Sequence, residues 1–336
     1  MTPLSQYWRR PRFYARRWTA RAAELYVDRI VGHGERPPFR SLTVENLIRT
    51  WRGFPEELRN DSLLAVAVLK YALGEEWLDR HISPHARDRG VLTIRREESE
   101  DAEIAKMRLV ELSESIFNLR RAHGISGCIE RMKTAPNPEP FIAEIHIAKM
   151  LYANDWPFSF VAPRGREGSD YDFEIDCHGH VICADAKCKI EETPLSARTI
   201  TQTLTKARKQ IPADAPGIFF VKFPQSWTNE PRWQETTIQG AMDFFAQGSG
   251  RIVSVVFYVE TYHLVGGRLA AQTQLRREVL NPRRRCGKNI DWKLLSRWQL
   301  PSNVVDGMPP KWVRLFDFPN RIARPAVNDG PPIPLA

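Results

Sequence analysis

Acidic side chains recur at every second position in "SDYDFEID", residues 169–176, and the chain returns after "CHGH" as "VICADAK", ending with Asp185 and Lys187 two apart. A β-strand shows successive residues to opposite faces. Asp170, Asp172, Glu174 and Asp176 therefore share one face, and Tyr171, Phe173 and Ile175 the other. If His178-Gly179 is a two-residue hairpin turn, cross-strand partners have numbers adding to 357, the sum for the two turn residues. Asp172 then opposes Asp185, Asp170 opposes Lys187 and Glu174 opposes Cys183. Directly opposed side chains have Cβ atoms about 4.5–5.5 Å apart, close enough for two carboxylates to share one cation. Mg²⁺ takes oxygen ligands, commonly one or two carboxylates with water and phosphate oxygens. Carboxylates of this kind beside a lysine suit the hydrolysis of a phosphate ester. The blander alternative is a solvated edge hairpin whose charges discourage aggregation.

These residues need elements to hold them. Upstream, "NPEPFIAEIHIAKMLYANDW" reads as a helix that starts between Asn137 and Pro140 and stops near Asn154. Its apolar stripe runs through Phe141, Ile145, Ala148 and Leu151 or Tyr152, and Glu144 lies on that side. A glutamate in a buried stripe needs a partner or a chemical role. Downstream, "SARTITQTLTKARKQI" spaces Ile200, Leu204, Ala207 and Ile211 as a buried helical stripe, with Lys206 and Gln210 together on another face. The strand "GIFFVKF" follows.

In this order the segment resembles the core of the PD-(D/E)XK nuclease superfamily. The resemblance covers residues 139 to 260, about a third of the chain, and rests on the helix with Glu144, Asp172 in "SDYDFEI", Asp185-Ala186-Lys187 in "ICADAK", and the helix and strand that follow. It implies a restriction-endonuclease-like α/β fold, an αβββαβ core with a mixed central sheet. It makes Asp172 and Asp185 ligands of Mg²⁺ or Mn²⁺, and Glu144 a further ligand, directly or through water. Lys187 becomes the residue that orients the attacking water or stabilises charge on the phosphate. Lys206 and Gln210 are auxiliary candidates, or else part of an ordinary solvated face beside Arg208 and Lys209, and Asp170 is a further auxiliary candidate. Tyr171 stands where the family's name has proline, and Asp185 where it has Asp or Glu. An acid-x-Lys triplet alone is common, and Asp291-Trp292-Lys293 is a second one without a preceding acid-bearing strand. The ordered set is what carries the resemblance.

The 336 residues leave room for two or three domains. From Val44 to about Lys133 the apolar spacing is helical, as in Leu63, Val66, Leu69 and Leu109, Leu112, Ile116, Leu119. The expected organisation is a helical N-terminal domain over 1–135, the nuclease-like domain over 136–275, and a C-terminal extension over 276–336 with a basic loop and a Pro-rich arm. "RIVSVVFYVETYHLVGGRLAAQTQL" reads as another strand pair.

Lys and Arg total 49 against 40 acids, a net +9, which favours a polyanionic partner. The first 22 residues carry Arg9, Arg10, Arg12, Arg16 and Arg17 among Tyr7, Trp8, Phe13, Tyr14 and Trp18. They would hold phosphates and stack on bases, or form a surface helix with solvated arginines. Arg283, Arg284, Arg285 and Lys288 form a second basic patch with the same two readings. Five cysteines, an odd number without a secretory signal, point to a reducing, cytoplasmic setting. Cys183 and Cys188 face opposite ways on their strand and no paired CxxC knuckle occurs, which disfavours zinc at Cys177, His178, His180, Cys183 and Cys188. No apolar run reaches the roughly 18–20 residues that span a bilayer, and no phosphate-binding Gly-rich loop is present.

The expected activity is a metal-dependent nuclease acting on DNA, in defence against foreign DNA or its processing. The alternative is a non-catalytic nucleic-acid-binding or scaffold subunit that keeps the fold. The helical N-terminal part and the C-terminal arm are where a second copy or a partner protein would dock.

Overall fold

The computed structural model describes residues 42, 44–53, 61–82, 92, 100–177, 179–190, 192–265, 268–285 and 315. The basic aromatic segment with Arg9, Arg10, Arg12, Arg16 and Arg17, together with His178, Lys288, Asp291 to Lys293 and nearly all of the C-terminal arm, lies outside them. The fold is mixed α/β, with eight α-helices and an open six-stranded mixed sheet among the described residues.

The helices before the sheet are α1 (Val44–Gly53), α2 (Asp61–Leu73), α3 (Glu75–His81), α4 (Glu100–Leu119), α5 (Ile125–Thr134) and α6 (Glu139–Ala153). In α2 the run Leu63 to Leu69 is at most 3 % exposed, because an apolar sequence all round the helix must be covered all round. The longer α4 buries Leu109, Leu112, Ile116 and Leu119 at three- and four-residue spacing, and its last turns, from Glu111 to Leu119, are covered on nearly every side. At the start of α6, Asn137 Oδ1 accepts the Glu139 N–H at 3.0 Å. The helix ends at Ala153, with Asn154 at its C-cap and Asp155 in the left-handed region at φ 58°.

The strands are β1 (Phe158–Phe160), β2 (Phe173–Cys177), β3 (His180–Cys188), β4 (Gly217–Lys222), β5 (Ile252–Val265) and β6 (Arg268–Leu280), hydrogen-bonded in that order. Pairing is antiparallel for β1–β2, β2–β3 and β5–β6 and parallel for β3–β4 and β4–β5. The parallel pairs require crossovers, provided by α7 (Ala197–Arg208) and by a 3₁₀ turn with α8 (Trp233–Ala246). The β2–β3 register is Phe173↔Ala184, Glu174↔Cys183, Ile175↔Ile182, the register read from the two-residue turn.

Two hydrophobic clusters cover the sheet. On one face Phe173, Ile175, Ile182, Ala184, Ile218, Phe220 and Tyr258 pack with residues of α1 to α6, so residues on both sides of the turn at 135–138 share one core. On the other, Cys183, Phe219, Val221, Val255 and Phe257 pack with α7 and α8. "GIFFVK" of β4 is apolar along nearly its whole length because both its faces are covered. The α7–α8 contact is close at Gly240, where a Cβ would sit 2.7 Å from Ile200 Cβ.

Candidate metal and phosphate site

The hairpin is not an edge. With β2 on one side and β4 on the other, β3 is interior, and Asp185 is 0 % exposed. That burial overturns the solvated-edge reading for this acid. A buried carboxyl needs a compensating group, and the nearest is on its own strand: Lys187 Nζ donates to Asp185 Oδ1 at 2.8 Å. The same Nζ lies 2.6 Å from Oδ2, but is not aligned to hydrogen-bond it, and Oδ2 is buried without a hydrogen-bond partner.

Asp172 immediately precedes β2, just outside the paired register. Its N–H donates to Ala184 O at 2.9 Å, its carbonyl accepts the Val161 N–H at 2.9 Å, and its Oδ2 accepts the Ala186 N–H at 2.7 Å. The last of these ties the side chain to β3, and the Asp172 carboxyl lies close enough to that of Asp185 for each to act on the other's titration. Glu144, 6 % exposed, comes from α6, and its Oε2 accepts from Arg131 of α5 at 2.8 Å.

Burial pushes the Asp185 carboxyl well above the ordinary range, with Lys187 opposing and the Asp172 charge adding. Burial also raises Asp172, against Lys187 and the Ala186 N–H. Glu144 is pushed up to about 8, first by burial and then by the Asp172 charge, against Arg131. Three carboxyls beside two cationic side chains leave an excess of negative charge, which further positive charge would offset. A donor set made only of carboxylate oxygens, from Asp172, Asp185 and Glu144, fits a hard divalent ion such as Mg²⁺ or Mn²⁺.

The rim is basic. The Lys189 ammonium is held below its usual value by burial and then by the charges of Lys206 and Lys187, which places the three lysines in one neighbourhood. Lys206 is exposed in the last turn of α7, and Gln210 lies just beyond, its N–H on Ala207 O at 2.9 Å. Asp170, placed opposite Lys187 by the extrapolated register, turns away: its Oδ1 accepts the N–H groups of Arg164 at 2.6 Å and Gly165 at 2.8 Å and holds that loop. Arg283, Arg284 and Arg285 are also elsewhere. The Arg285 N–H bonds Gly250 O at 2.6 Å, beside the start of β5, whereas Lys187 pairs with Val221 toward the far end of β4.

Residue spacing did not disclose the partners of Glu144, Arg131 and Cys128, since both come from a separate helix. It also missed a second buried group. Glu111 of α4, His146 of α6 and Glu260 of β5 each offer a ligand atom within 4.8 Å of the others, an arrangement able to hold a metal ion. Lys149 Nζ lies 2.5 Å from Glu111 Oε1, Tyr262 Oη donates to Glu111 Oε2 at 3.4 Å, and His146 Nδ1 is 3.4 Å from Glu260 Oε2. Burial lowers His146 to about 3, while burial and the Glu111 charge raise Glu260 to about 8. The polar residues themselves stand out in the sequence, His146 and Lys149 within the mostly apolar "FIAEIHIAKMLYA" and Glu260 after "VVFYV", but nothing in it joins them.

Cys177 and Cys183 are buried on opposite faces of the sheet. No helix among the described residues is long and apolar enough to cross a membrane. Comparison with known proteins gives no matching family model, no matching curated protein and no matching solved structure.

Proposed function

We propose that this chain is a metal-dependent nuclease of the restriction-endonuclease-like kind, hydrolysing phosphodiester bonds in DNA. The observation that carries this reading is the fully buried Asp185 carboxyl on an interior strand, in contact with Asp172 on one side and Lys187 on the other. The element order α6–β1–β2–β3–α7–β4 supports it as the αβββαβ arrangement expected from the resemblance.

Asp172 and Asp185 would hold Mg²⁺ or Mn²⁺, with Glu144 as the third carboxylate. An ion bound there lowers the pKa of a bound water and neutralises charge on a phosphate. Lys187 holds its ammonium against Asp185 with the side chain 25 % exposed, where it would meet a phosphate oxygen or an incoming water. Lys189 and Lys206 supply positive charge where a polyanionic backbone would lie. Arg131 orients Glu144 and offsets its charge.

The test is cleavage of supercoiled plasmid, linear duplex and single-stranded DNA in Mg²⁺, Mn²⁺ or EDTA. Wild type cuts only with metal, and Lys187→Ala and Asp185→Ala do not cut. Metal-dependent cutting retained in both variants, or no cutting of any of these substrates by folded wild type, overturns the reading. The second outcome favours the scaffold alternative.

A further inference from the structure

Glu111, His146 and Glu260 come from the helical layer, the helix against the sheet, and the sheet itself. All three are buried, and their ligand atoms converge within 4.8 Å. His146 supplies an independent sign. It is 4 % exposed, its Nδ1 lies 3.4 Å from Glu260 Oε2, and that nitrogen has no hydrogen-bond partner. Buried imidazole nitrogens are ordinarily satisfied, and an unpartnered one within 4.8 Å of two carboxylate oxygens is placed where a metal ligand would be.

We propose that Glu111, His146 and Glu260 form a second, structural metal site for a transition ion of the zinc class, pinning α4 and α6 to β5. The imidazole separates this site from the all-oxygen centre at Asp172 and Asp185, since nitrogen donors favour zinc-type ions over Mg²⁺. Glu111 and Glu260 bring two negative charges to a divalent ion, with the Lys149 ammonium offsetting part of that of Glu111. Lys149, on Glu111 Oε1, and Tyr262, on Oε2, hold the glutamate's orientation from outside, as partners of metal ligands do. No substrate-facing group is required, and the proposal is independent of the nuclease reading.

The full chain is stripped with a chelator and titrated with Zn²⁺ in millimolar Mg²⁺, following metal content and the thermal midpoint. One Zn²⁺ per chain is expected, with a saturable rise in midpoint. Asp185→Asn retains that ion, and His146→Ala loses at least tenfold in affinity. X-ray absorption at the zinc edge of wild type shows the outer-shell scattering of one imidazole, a readout that does not depend on any variant folding. Absence of a Mg²⁺-resistant Zn²⁺ from folded wild type, absence of the imidazole signature, or zinc binding lost in Asp185→Asn and kept in His146→Ala overturns the proposal.

Discussion

Asp185 has no exposed surface, and its closest cation sits two residues along the same strand. The alternation of acids and the two-residue turn made the β2–β3 register legible in advance, because a strand's period of two and a turn of fixed length determine register, and Asp172 sits one residue before that register begins. Asp170 was misjudged for a related reason: register predicts positions only while the strand continues, and β2 begins at Phe173. Arg131 could not be read from the spacing, since nothing local to Glu144 names the helix that will pack against it. Removing that guanidinium leaves a buried acid with weaker compensation, so Arg131→Ala should destabilise the fold by about 1–3 kcal/mol, as urea unfolding would measure. An unchanged midpoint would mean the pair is not maintained in solution. The raised pKa of Glu144 also has a sign. The folded chain holds this proton where the unfolded chain has released it, so metal-free protein should lose stability as pH rises from about 4.5 to about 8. Comparing wild type with Glu144→Gln in EDTA isolates the effect: the fall is shallower in the variant, and equal slopes contradict the assignment.

At the scale of elements, α6 and α7 bracket the hairpin and each has a local reason for its bounds. α7 starts at Ser196, whose Oγ accepts the Thr199 N–H at 3.0 Å. Ser196→Ala should cost about 1 kcal/mol, the usual loss of such a cap, in chemical denaturation. Gly240→Ala tests the α7–α8 crossing more severely, since the new Cβ would meet Ile200 Cβ at 2.7 Å and Ala197 O at 3.0 Å. The helices must separate, with a loss of about 1–3 kcal/mol. A neutral result would show that the crossing is looser than described. Helix and strand identities here were legible because hydrophobic period distinguishes 3.6 from 2. The Glu111–His146–Glu260 group was not, because α4, α6 and β5 are far apart in sequence and meet only through packing.

For the whole molecule, one apolar cluster runs from α1 and α2 through α6 into the sheet. Tyr258 Oη of β5 also donates to Ala143 O of α6 at 3.2 Å, across 115 positions of chain. Composition suggested a helical region followed by an α/β region, and the order of elements agrees, yet periodicity carries no information about which faces are shared. A fragment of residues 136–285 should therefore expose the sheet face that α1 to α5 cover and lose cooperative thermal unfolding. A sharp transition matching the full chain's would show that the sheet and α6 suffice. Positive charge at Lys187, Lys189 and Lys206 gives the molecule a basic rim at one end of the parallel strands. The account as a whole rests on the Asp172–Asp185 pair holding a divalent ion. The most direct measurement is Mn²⁺ binding by electron paramagnetic resonance, with Zn²⁺ saturating any nitrogen-containing site and Mg²⁺ as competitor. The account predicts bound Mn²⁺ displaced by Mg²⁺, lost in Asp172→Asn and Asp185→Asn, and kept in Lys187→Ala. Mn²⁺ binding unchanged in both aspartate variants would contradict it.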